Sequence, residues 1–143
     1  MSEDIRWKQR FENFGKARQK FHQALNAYLA EKDNELYQMA LIQTFEFTYE
    51  SGWKTIKDYL LFQGVKRVTL PREVIKQGFH HQIIDDGQAW IDMLEDRNLM
   101  AHTYDEKKAE KAVSNIANRY AAAVDQVFIY FKEKYETNSC HLA

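Results

Sequence analysis

An all-α, up-down helical bundle of four to five helices, three of them long, is the fold this sequence predicts. Three observations predict it. The 143 residues include one Pro and five Gly, well below average usage of about 5% and 7%, so few positions break a helix. Apolar residues recur at helical spacing through most of the chain. No segment reads as a convincing strand: "VKRVTL" is rich in β-formers but short, and nothing else can pair with it.

The elements follow in order. Trp7, Phe11, Phe14, Phe21, Leu25 and Tyr28 mark one face of a long helix from about Glu3 to Ala30, with Gly15 tolerated inside it. "EKDNE" ends that pattern, and Asp33 or Asn34 caps a second long helix. Its apolar face runs through Leu36, Met39, Ile42, Tyr49, Trp53, Ile56 and Leu60 and stops near Gly64. After the connector "VKRV", "TLPREVIKQGF" predicts a short helix with Thr69 as cap, Pro71 in the first turn and Gly78 at its end. "DDGQAWIDMLEDRNLMAH" predicts a fourth helix capped by Asp85 or Asp86. The last helix starts at about Asp105, where "DEKKAE" suits the positive end of the helix dipole. It runs through Val113, Ile116, Tyr120, Val124, Val127, Phe128 and Phe131 to about Tyr135. The whole of 1–143 reads as one domain, with its core at about 3–135 and a flexible tail at 136–143.

Composition narrows the function. Hydrophobic residues make up 45% and charged residues 29%, an ordinary globular balance. At this length about 68–70% of the unfolded surface is buried on folding, enough for a real core. No run of 18 apolar residues is present, which excludes a helical membrane span. The charged start "MSEDIRWKQRF" carries no secretory signal, so the expected compartment is the cytoplasm. Cys140 is the single cysteine, which excludes an internal disulfide and a Cys-based zinc site. A net charge of −1 gives no global attraction to nucleic acid. Lys66, Arg67, Arg72 and Lys76 form the best local basic cluster, and a solvated face is its ordinary explanation. Fourteen percent aromatic residues suit a large core, and they also suit a face shared with a second chain.

The informative stretch is "EDRNLMAHTYD", residues 95–105. On a helix, Arg97 has Met93, Leu94, Met100 and Ala101 as same-face neighbours, all apolar. A charge there must be paired, reach the bundle edge, or face a cleft. Glu46 and Glu50, set among apolar residues of the second helix, are the candidate partners. Asn98 and His102 are four residues apart and share a face. A lone His at a helix end ordinarily serves the helix dipole, and a Tyr in a turn, as Tyr104 is, ordinarily half-buries its ring. Arg97 and His102 lie about 140° apart on a regular helix, so they converge only if the helix frays or two chains pair these ends. Chemically, His suits proton transfer near neutrality and Arg offers forked donors to phosphate. Those two types suffice for metal-free cleavage of RNA by its own 2′-hydroxyl. His80 and His81, followed by Asp85 and Asp86, make a weak metal candidate, because adjacent helical residues do not face one site. No metal or other cofactor is expected.

The pattern Arg-Asn-x-x-x-His-x-Tyr, here "RNLMAHTY", resembles the HEPN superfamily, as does the aromatic run "LIQTFEFTYESGWKTIKDYL". More narrowly the chain is similar, from about Phe11 to Phe131, to the HepT-like proteins, also called nucleotidyltransferase substrate-binding proteins. The resemblance implies a homodimeric bundle partnered with a separate minimal nucleotidyltransferase (MntA-like). It implies a toxin of a toxin–antitoxin pair, a metal-independent endoribonuclease with Arg97, Asn98 and His102 as its catalytic set. It also implies Tyr104 as acceptor of a silencing nucleotidyl group. An alternative within the same family is a noncatalytic subunit that binds a nucleotide or polynucleotide and presents it to the nucleotidyltransferase. A plain helical interaction module is the third reading.

Overall fold

The computed structural model describes residues 2–100 and 106–141, the side chains of 98–100, 106 and 138–141 excepted. Helix α1 spans Glu3–Ala30, and the Ser2 hydroxyl accepts the Ile5 N–H at its start. Helix α2 spans Glu35–Phe62, with Asn34 as the cap accepting from the Tyr37 N–H. The four residues between them turn the chain back, so α1 and α2 pack along their length as an antiparallel hairpin. Gly64 ends α2 with φ at +89°. The Gly64 N–H donates to Leu61 O and the Val65 N–H to Leu60 O, the paired bonds that satisfy carbonyls left over at a helix end.

Helix α3, Pro71–His80, departs from its predicted signals at both ends. Leu70 rather than Thr69 stands at the cap position, and no side chain caps the helix. Gly78 lies inside α3 instead of ending it. A Cβ there would sit 3.0 Å from Ile84 Cδ1 and 3.1 Å from Ile56 Cγ2, so the glycine serves close packing against α2 and the next loop. Helix α4, Gly87–Met100, is capped by Asp86, which accepts the Ala89 N–H at 3.0 Å.

The predicted last helix is three segments: α5 over Glu106–Asn115, a π-helical turn over Ile116–Tyr120, and α6 over Ala121–His141. Its buried spacing, Val113, Ile116, Tyr120, Val124, Val127, Phe131, fits an α-helix as well as one broken by a wide turn, so periodicity did not reveal the break. The predicted start at Asp105 lies outside the described residues. The helix continues past Tyr135, where the apolar stripe ends, to His141.

Helix α6 runs back along α1: Phe11 stacks on Phe128, Arg18 pairs with Asp125, and the Tyr135 hydroxyl donates to Glu12. Trp7, Phe14, Phe45, Tyr49, Trp90, Tyr120 and Phe131 are fully buried between the four layers α1, α2, α4 and α5–α6. The architecture is an all-α bundle, with no strand among the described residues. None of its described helices is long and apolar enough to cross a membrane.

Candidate functional site

The buried stripe of α4 is Ala89, Trp90 and Met93, with Arg97 at the next helical position. Leu94 packs against the edge of the same core, so Arg97 is a charge placed in line with an apolar stripe. Arg97 sits at the bundle edge with 36% of its side chain exposed, neither in the core nor in open solvent. Its Nη2 donates to Glu50 Oε1 on α2 in a close contact, and its guanidinium lies over the Tyr49 ring, 5.9 Å from the centroid. Glu50 is itself fixed: its Oε2 accepts from Trp53 Nε1 at 3.1 Å and stands 3.9 Å from Lys54 Nζ.

Glu46, one turn earlier on α2 and partly buried, completes the charged group. Burial pushes its carboxyl above the ordinary glutamate range, Arg97 opposes that rise, and Glu50 adds to it. Of the two carboxylates expected near Arg97, Glu50 makes the contact, and Glu46 acts on it through the electrostatic field alone. Tyr49 beneath them is fully buried, and burial followed by the Glu50 charge pushes its phenol up.

Sequence reasoning missed the other half of this arrangement. Asp92 and Asp96, one turn apart on α4, face the π-helical turn. Arg119 Nη1 donates to Asp92 Oδ2 at 2.5 Å, and the Tyr120 hydroxyl donates to Asp96 Oδ2. Gln88 also donates to Asp92, and these bonds, Gln88 first, hold its carboxyl below the ordinary range. Two acids at i, i+4 beside a buried stripe were the available signal, but their partners lie on another helix at a turn periodicity does not show.

Asn98 is on the last turn of α4, its side chain outside the described set, and His102 and Tyr104 lie outside the described residues. The structure thus brings Arg97, Glu46 and Glu50 together and does not describe how His102, Asn98 and Tyr104 meet them. His80 and His81 meet edge to face, 5.4 Å between ring centroids. Among the described residues no group of three or more His, Cys, Asp or Glu side chains could hold a metal ion.

Chemically, a fixed guanidinium fork beside an open edge binds an oxyanion, and a carboxylate already seated on it stands where a phosphate oxygen would stand. An incoming phosphate must displace Glu50 or share the fork with it.

Residues 9–132 match the family described as nucleotidyltransferase substrate binding protein like. Among curated proteins, the chain is 28% identical over 79 residues to the probable ribonuclease HepT of Haemophilus influenzae, a match spanning 52% of this chain and 54% of that protein. A crystal structure of a protein from Thermus thermophilus superposes with a TM-score of 0.64 at 27% identity, covering 75% of this chain and 94% of the other.

Proposed function

The chain belongs to the nucleotidyltransferase substrate binding protein-like family, and from that premise we propose that it is the HepT-like toxin partner of a minimal, MntA-like nucleotidyltransferase in the cytoplasm. Its proposed activity is metal-independent cleavage of RNA. Arg97 holds the scissile phosphate, His102 moves the proton, and Asn98 orients one of them. A nucleotidyl group placed on Tyr104 by the partner adds negative charge beside Arg97 and silences the site. The observation that carries this reading is the half-exposed Arg97 fork, aimed by Glu50 and set over Tyr49 at the end of the helix that leads into "AHTY". The similarity to a protein named as a probable ribonuclease supports it.

A second copy of the chain belongs on the same face. Leu36, Met39 and Phe47 are 73%, 64% and 58% exposed. They lie on the side of α2 that also carries Glu46 and Glu50. An apolar stripe leading into a charged edge favours a protein partner there. A copy seated on it would bring a second motif towards Arg97, removing the angular mismatch of Arg97 and His102 within one helix.

The second reading, a noncatalytic subunit that presents a nucleotide or polynucleotide to the nucleotidyltransferase, is favoured by the prior occupancy of Arg97 by Glu50. Expression without the partner enzyme separates the two. Growth arrest relieved by His102→Ala is the expected result, and undisturbed growth with soluble protein would favour the binding subunit. A solution mass matching one 17.0 kDa chain at micromolar concentration would remove the homodimer.

A further inference from the structure

We propose that Tyr120, on the π-helical turn, is a positioning residue for Arg97. It acts by anchoring the last turn of α4 through Asp96. The inference rests on the reading of Arg97 as the phosphate-holding group.

Two kinds of contact hold α4 in rotation. Up to Met93 the helix is held by buried apolar side chains, Trp90 above all. Beyond Met93, Leu94 packs at the core's edge, and Asp96 and Arg97 reach other helices through polar bonds. Arg97 reaches α2 on one side, and Asp96 reaches the π-turn on the other. Adjacent helical residues point about 100° apart, so the two bonds tie the turn to two different neighbours in nearly perpendicular directions and together fix its azimuth. Loss of either removes one of the described bonds that set the direction of Arg97.

The anchor itself is rigid. The Tyr120 ring is buried and stacked on Phe45, 5.6 Å between centroids. Phe45 in turn lies 6.3 Å from Tyr49, the ring beneath Arg97. The hydroxyl is therefore a fixed point in the same aromatic wall that carries the guanidinium. Burial, followed by the bond to Asp96, holds the phenol in its protonated, donating form. The companion rung, Arg119 to Asp92, lies on partly solvated side chains and is one turn further from Arg97. π-turns within α-helices often mark functional positions, and this one presents Arg119 and Tyr120 together to α4.

The test uses the full chain and three variants: Tyr120→Phe, Asp96→Ala and their combination, with Arg119→Ala as control. The first readout is cleavage of a mixed-sequence single-stranded RNA. The second is the Arg97 Nε–H resonance, assigned by its loss in Arg97→Lys. In Tyr120→Phe, kcat should fall about ten-fold or more with KM little changed, because a displaced group forfeits transition-state geometry rather than binding. The Arg97 resonance should shift. Asp96→Ala should reproduce both effects, the combination should add little, and Arg119→Ala should show neither. If the wild-type chain cleaves no RNA, the ribonuclease reading fails while the resonance still decides the positioning role. An Arg97 resonance unmoved in folded Tyr120→Phe or folded Asp96→Ala overturns the inference.

Discussion

The region around Trp7 and the region around Arg97 are built on opposite principles. Around Trp7 the contacts are rings: Tyr59 at 5.1 Å edge to face, Phe131 at 6.0 Å, Tyr135 at 6.4 Å. The polar atoms of this cluster are turned to partners at its rim: Trp7 Nε1 donates to Asp4 at the helix start and the Tyr135 hydroxyl to Glu12. Around Arg97 the contacts are charges and hydroxyls from α2, α4 and the π-turn, with aromatic faces serving only as a floor. Packing tolerates no vacancy but is indifferent to pH and salt. Polar pairing contributes little net stability yet fixes direction. Stability and placement are therefore separate tasks here, given to separate parts of the bundle.

Substitutions sharpen or break that division. The largest effect on stability is expected at Trp7→Ala, which should destabilise by about 3–5 kcal/mol in urea denaturation and leave the Arg97 resonance in place while the protein remains folded. A loss under about 1 kcal/mol would show the ring cluster to be dispensable. Arg97→Ala should do the reverse. RNA cleavage should drop about 100-fold or more, as for the loss of one transition-state donor. Stability should change by less than about 1 kcal/mol, because the pair is partly solvated. A matching collapse of melting temperature would place Arg97 among the structural residues.

Glu46→Gln is the next smaller effect. Its carboxyl is raised above the ordinary value of 4.5 in the fold, so the folded state holds a proton that the unfolded chain has released. Wild-type stability from this group is therefore present at low pH and is lost as pH rises from 4.5 through the raised value. Glu46→Gln should be the more stable protein at neutral pH, by less than about 1 kcal/mol, with the advantage gone below pH 4.5. Denaturation curves at both pH values check this, and an advantage that grows on acidification contradicts it.

The smallest effect belongs to Tyr49→Phe. The Tyr49 hydroxyl is buried with no hydrogen-bond partner among the described residues. Removing it should leave stability unchanged or raise it by up to about 1 kcal/mol. A clear loss would reveal a hydrogen-bond partner for the hydroxyl outside the described side chains.

Most of the fold was legible because helix periodicity and end signals are local. Asn34, Gly64 and Asp86 do what their residue types predict. The family resemblance drawn from "RNLMAHTY" and the aromatic α2 run agrees with the family match over residues 9–132. Gly78 was misread because a glycine in a helix pattern looks like an ending, whereas here Ile56 and Ile84 approach its missing Cβ. The candidate site was legible only by half. Arg97 announced itself through its apolar neighbours, and Glu46 and Glu50 were visible as acids on an apolar face. The Tyr120–Asp96 bond was not, since Tyr120 reads as one more core ring in the stripe and no local pattern reports where its hydroxyl points.

The hairpin of α1 and α2 has a consequence in time. Its contacts join segments close in sequence, which form early, while those of α6 with α1 join residues as far apart as Glu12 and Tyr135. On a ribosome adding about 5–20 residues per second, Phe131 follows Phe62 by roughly 3–14 s. For that interval the rings of Trp7, Phe11 and Tyr59 wait without the helix that covers them. An aromatic surface is thus complete on the hairpin before Arg97 has been added, and Tyr120, which bonds Asp96 beside it, comes later still.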